Sequence, residues 1–340
     1  MNASCVAGWA ARRERGSAVL LRVMAWLTLT LGRPVGRALL PPITAWFLAT
    51  SPTARTASRE YLSLALGRRA GLVDVARHFH AFASAILDRA FLITGRTAGL
   101  RIDTEGLEHL EAALATGRGC VLLGAHLGSF EVLCSLGRAA PVPVRPLMFR
   151  RNAGALSALL DRLAPGLRDS VIEIGDAGSM LRAHESVARG EIVGILADRA
   201  PVCDGVVPAR MVRVPFLGRM ASFPAGPFIL ASTLDAPVVL FQAVRTDRNR
   251  YAIRFTPFAP RILLPRASRA AALCELVGRY AAAVEAGCRA HPFEWFNFFP
   301  FWEGSTDDTP RPQTDAASDA AGPGRGEAGA GAAGSRHAPA

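Results

Sequence analysis

The segment "GAHLGSFE", Gly124 to Glu131, sets His126 just after the apolar run "CVLLGA" and places Glu131 five positions later. An imidazole with an ordinary pKa near ~6.5 suits general-base work at neutral pH, and a carboxylate on its other nitrogen would fix the tautomer and stabilise the imidazolium. Gly124 and Gly128 keep side chains clear of the loop, and Ser129 is able to cap a following helix. If the loop curls back, Glu131 reaches one ring nitrogen and the other faces the cleft. The chemistry that follows is deprotonation of a substrate hydroxyl that attacks directly, with no protein nucleophile. None of His78, His80, His109, His184 or His291 has an acid at the same spacing. The spacing alone is a common coincidence, so its weight depends on what surrounds it.

The surrounding elements alternate. Strands are expected at "LRIDTEG", "CVLLGAH", "PVRPLMF", "SVIEIG", "EIVGILAD", "PVVLFQAV" and "YAIRFTPF", with helices starting near Gly106, Gly128, Asn152, Ala177, Phe223 and Ser268. Such alternation predicts an α/β fold with a central sheet flanked by helices, and a mixed sheet because "VVLFQAVRTDRNRYAIRF" reads as an antiparallel hairpin turning at Asp247 to Asn249. His126 would then stand where a strand's carboxyl end opens into a loop, the edge where α/β folds bind ligands. Upstream, Asp74 to Thr94 repeats apolar residues with a 3.6-residue period and reads as a packed helix. His78 and His80 on it are read as helix-surface residues rather than metal ligands.

The chain's 340 residues are half hydrophobic, carry a net charge of +11 and contain no lysine. That excludes a Walker P-loop or a lysine Schiff base. The arginine excess favours an acidic carrier protein or an anionic membrane surface over nucleic acid, for which no recognition motif is present. The six cysteines never approach CxxC spacing and read as buried thiols. Arg12, Arg13 and Arg15 precede "SAVLLRVMAWLTLTL", and "RALLPPITAWFLA" follows, split by Pro41 and Pro42. Residues 1–60 are therefore expected to form membrane-associated helices lying on the cytoplasmic face of the inner membrane, with a single span or mere capping of the core as alternatives. Residues 61–303 would form the catalytic α/β domain. The stretch 304–340 lacks apolar bulk and is expected to be disordered.

The blocks "GRGCVLLGAHLGSFE", "LMFRRN", "GILADRA", "VRVPFLGRMASFPAG" and "LDAPVVLFQA" follow one another in an order that resembles the lysophospholipid-acyltransferase-like superfamily. They are most similar to its lipid A biosynthesis branch, the lauroyl/myristoyl acyltransferases, over about residues 17–303. The resemblance implies a catalytic dyad at His126 and Glu131, substrate contacts at Arg150 and Arg151, an acidic position at Asp198, and a "VPFLG" loop ending in Gly218. It implies acyl transfer from a thioester, carried by acyl carrier protein or coenzyme A, to a hydroxyl of a lipid or glycolipid, with no metal or organic cofactor. Where many lipid A enzymes have Asn and Gln, this chain has Ser129 and Arg199, which points to a side branch with another acceptor. A glycerophospholipid acyltransferase using acyl-CoA, a thioester hydrolase and a silent lipid-binding scaffold are the rival readings.

Overall fold

In the computed structural model, residues 18–133, 142–148, 155–174, 178–200 and 210–302 are described. The expected disordered tail, the leading arginines, Arg150 and Arg151, and Cys5, Cys134 and Cys203 lie outside them. Residues up to Ser305 cluster as one compact unit.

Four helices come first: α1 (Ala18–Leu31), α2 (Arg33–Thr50), α3 (Pro52–Leu66) and α4 (Leu72–Thr94). The chain then runs β1 (Arg101–Glu105), α5 (Leu107–Leu114), β2 (Cys120–Gly124), β3 (Val144–Met148), α6 (Ala155–Leu163), α7 (Pro165–Ser170), β4 (Ile172–Glu173), α8 (Ser179–Ala188) and β5 (Ile192–Leu196). It ends with β6 (Met211–Phe216), β7 (Arg219–Pro224), α9 (Gly226–Leu234), β8 (Val238–Asp247), β9 (Arg250–Ala259) and α10 (Arg269–Ala290).

Seven strands form one sheet in the order β1-β9-β8-β2-β5-β3-β4. β8 pairs antiparallel with β9 and every other neighbouring pair is parallel, so the sheet is mixed as expected. The hairpin joining β8 to β9 turns where the sequence placed it, with Asp247 opposite Arg250. β2 is buried at all five positions. Its side chains alternate between two apolar layers: Val121 and Leu123 join Tyr61, Phe223 and Tyr280, whereas Cys120 and Leu122 join Leu92, Phe241 and Phe255. A strand apolar on both faces belongs at the middle of a helix-covered sheet.

Two expectations are corrected. The "VPFLG" stretch is not a loop: β6 and β7 form a separate antiparallel hairpin. Its turn is Leu217-Gly218, with φ of 52° and 80°. Positive φ at both turn residues matches the right-handed twist of a hairpin, and Gly218 adopts it without steric cost. The side chain of Leu217 is buried, and its N–H donates to Glu285 Oε2 at 2.6 Å, which holds the strained residue in place. Second, Pro41 and Pro42 do not split their stretch, because α2 runs through them. Leu40 and Thr44 flank the prolines and are buried, and Gly36 fits closely against Thr28 and Leu87. Packing on α1 and α4 offsets the lost helical hydrogen bonds. Among the described residues no helix is long and apolar enough to cross a membrane.

Candidate active site

β2 and β5 pair in parallel with Gly124 opposite Leu196. Two residues beyond each end stand His126 and Asp198, so the register sets them side by side at the carboxyl edge of the sheet. His126 Nδ1 lies 2.8 Å from Asp198 Oδ1, and the His126 backbone N–H donates to Asp198 Oδ2 at 3.1 Å. Asp198 is fully buried, while 36 % of the His126 side chain is open to solvent. Among the described residues Nε2 has no hydrogen-bond partner, which leaves that nitrogen for a substrate.

Two further groups hold Asp198: Trp295 Nε1 donates to Oδ2 at 3.0 Å, and the Arg199 guanidinium lies 3.7 Å from Oδ2. The Ala197 N–H, one residue before it, ties the end of β5 to the Gly124 carbonyl at 2.9 Å. Desolvation alone would raise this carboxyl, but the imidazole, Arg199 and the indole overcome it and hold Asp198 well below the usual carboxylate range. His126 is shifted below its ordinary value, first by burial and then by the charge of Arg199, with Arg89 adding to it, against the opposing pull of Asp198. The shift favours the neutral imidazole, the form a general base needs.

The Glu131 carboxylate accepts from Ser129 Oγ at 3.0 Å and forms an ion pair with Arg89. It makes no hydrogen bond with His126 among the described residues, so the carboxylate on Nδ1 is Asp198 and not the one five positions along the chain. The reason lies in the path of the loop. Leu127 bridges Trp295 and Gly128 bridges Ala243, which draws the chain along the sheet edge rather than back over the ring. Gly128 has a φ of 78°, and a Cβ there would lie 1.7 Å from the Ala243 carbonyl oxygen. The N–H groups of Gly128 and Ser129 are bound to the Glu294 and Ala243 carbonyls at 2.8 Å each.

The aromatic segment after α10 supplies much of the site's support. Trp295 and Asn297 are fully buried, and Trp295 packs edge-on against Tyr61, Phe216 and Phe301. The Phe296 N–H donates to the His126 carbonyl at 3.0 Å, and Arg199 donates to the Phe296 carbonyl at 2.5 Å while lying over the Phe299 ring. His78 is buried rather than surface-exposed: Nδ1 meets Ser58 Oγ at 2.8 Å and Nε2 meets the Trp295 carbonyl at 2.9 Å. Burial lowers its pKa to about 4. No group of three or more His, Cys, Asp or Glu able to hold a metal ion occurs among the described residues.

Asp198, expected from the sequence as an acidic position among the substrate contacts, lies on His126 Nδ1, and Gly218 sits at the β6–β7 turn. Arg89, Arg199 and Trp295 were not expected as supporting residues. Only the strand register, which puts residue 198 beside residue 126, could have signalled the pairing.

A His–carboxylate pair at the edge of a mixed sheet is an arrangement suited to acid–base chemistry. The comparison with known families is narrower: a model described as bacterial lipid A biosynthesis acyltransferase matches residues 13–303, and the chain belongs to that family. Membership makes it an acyltransferase that acts on a lipid. No curated protein sequence matches the chain.

Proposed function

We propose that the protein transfers a fatty acyl group from a thioester, held on acyl carrier protein, to a hydroxyl of a lipid or glycolipid at the cytoplasmic face of the inner membrane. The observation that carries this reading is the His126 ring, partly open to solvent and held at Nδ1 by the buried Asp198. Nε2 takes the acceptor's hydroxyl proton as its oxygen attacks the thioester carbonyl. The tetrahedral intermediate then expels the thiolate, which recovers the proton from the imidazolium. Asp198 fixes the tautomer and stabilises the charged ring. Glu131 acts through Arg89, whose charge reaches His126 and which stands ready for developing negative charge. Arg150 and Arg151 are assigned to an anionic group of donor or acceptor.

The net basic charge favours an acidic carrier as donor. Association with the membrane is supported by Val23, Trp26, Leu31 and Trp46, large apolar side chains left exposed on α1 and α2.

The test uses purified full-length protein, labelled acyl carrier protein and a membrane lipid extract. His126→Ala is expected to lower transfer about 10²–10⁴-fold. Undiminished transfer would overturn the mechanism, and release of free fatty acid without an acylated lipid would assign a thioester hydrolase instead.

A further inference from the structure

A cleft of about 470 Å³ opens between α2, α4 and the end of the β8–β9 hairpin, lined by Arg37, His80, Arg245, Thr246, Asp247 and Arg248. Arg37 and Arg245 are largely buried, with 9 % and 15 % of their side chains exposed. The Nε of each is buried and has no hydrogen-bond partner among the described residues. Burial pushes the Arg37 pKa down, and the neighbouring charges of Arg33 and Arg245 push the same way against Asp88. Two guanidinium groups thus share a desolvated space with donors left over, a costly arrangement unless an anion completes it.

The acids nearby are already committed. Asp88 accepts from Arg33 Nε at 2.7 Å, Tyr251 Oη at 2.9 Å and Arg37 at 3.2 Å. Glu294, buried beside Arg245, accepts the Arg245 backbone N–H at 3.2 Å and lies 3.6 Å from its guanidinium, and burial raises its pKa to about 7. Asp247 Oδ1 accepts the Arg248 backbone N–H at 2.6 Å. Cations therefore outnumber the available carboxylates, and they converge from three separate elements. Donors arriving from several directions suit the tetrahedral oxygens of a phosphoryl group better than the two coplanar oxygens of a carboxylate.

We propose that this cleft, built on Arg37, Arg245 and Arg248, is a phosphoryl-binding site. It is distinct from the His126–Asp198 pair, neither of which lines the cleft. The phosphoryl group comes either from a lipid headgroup or from free phosphate, and the two sources are separable.

Inorganic phosphate is titrated calorimetrically into the full-length protein, and the protein is floated with phosphatidylcholine vesicles with and without phosphatidic acid. Phosphate binding together with a preference for phosphatidic acid assigns a lipid-borne group, and phosphate binding without that preference assigns free phosphate. Arg37→Gln and Arg245→Gln are each expected to weaken binding about tenfold or more. Arg248→Glu changes an exposed turn residue, so it reports on the site even if the buried variants fail to fold, and a similar loss is expected. His126→Ala is expected to bind phosphate as the wild type does, which separates this site from the transfer reaction. Absence of phosphate binding in the wild type, or binding unchanged in Arg248→Glu and in whichever buried variants fold, overturns the proposal.

Discussion

The indole Nε1 of Trp295 donates to Asp198 Oδ2 at 3.0 Å, from a position 97 residues further along the chain. Both side chains are fully buried, so no water replaces the bond if it is removed. Trp295→Phe is expected to reduce kcat about tenfold, because Asp198 loses one of the donors that hold it against the imidazole. Asp198→Asn, which offers Nδ1 the wrong group, is expected to reduce kcat about 10³-fold or more. Glu131→Gln, acting only through Arg89, should fall between wild type and Asp198→Asn. Steady-state kinetics of acyl transfer rank the three, and a Glu131→Gln loss exceeding that of Asp198→Asn would place Glu131 nearer the reacting atoms.

Arg199 is within reach of both members of the pair and favours the neutral imidazole. A lowered pKa keeps the base active to a lower pH, since the competent form exists only above it. Arg199→Gln removes a cation, so the acidic limb of the kcat/KM profile should move to higher pH. A profile unchanged between pH ~5 and ~8 would show that the limb belongs to another group.

Gly128 cannot be replaced without moving backbone, since its Cβ would collide with the Ala243 carbonyl and its φ is positive. Gly128→Ala is expected to cost about 3–5 kcal/mol of stability, measured by denaturant unfolding. Gly117→Ala, also at positive φ but with open space around it, should cost far less.

Glu294 is buried and its pKa is raised to about 7, against an ordinary carboxylate value. The folded state therefore binds its proton more tightly than the unfolded chain, and stability falls as pH rises from about 4.5 through about 7. Glu294→Gln should flatten that part of the stability profile and leave the variant more stable than wild type at pH ~8. Thermal unfolding at several pH values reads this, and an unchanged profile would mean that Arg245 neutralises the carboxylate fully.

Elements whose signal is local were legible in the sequence. The apolar runs of β2, β5 and β8, the hairpin at Asp247 to Asn249 and the periodicity of α4 all correspond to observed structure. Features set by partners distant in sequence were not. The Leu217-Gly218 turn lacks the usual Asn-Gly signal and is held by Glu285, 68 residues away. The two prolines of α2 carry a local cost that its packing against α1 and α4 outweighs. Asp198 was named from the sequence as an acidic position, but its place on His126 depends on a register between strands 72 residues apart. Composition could not distinguish an aromatic segment that lines a channel from one that anchors a carboxylate.

The same register ties catalytic competence to completion of the chain. During synthesis His126 emerges long before Asp198, and Asp198 long before Trp295, which closes over it. Until β5 has zipped onto β2 and the segment after α10 has docked, the imidazole lacks its oriented partner. In the proposed reaction, a chain nicked between these segments would hold the base without the carboxylate that orients it, and transfer would fail even with His126 intact.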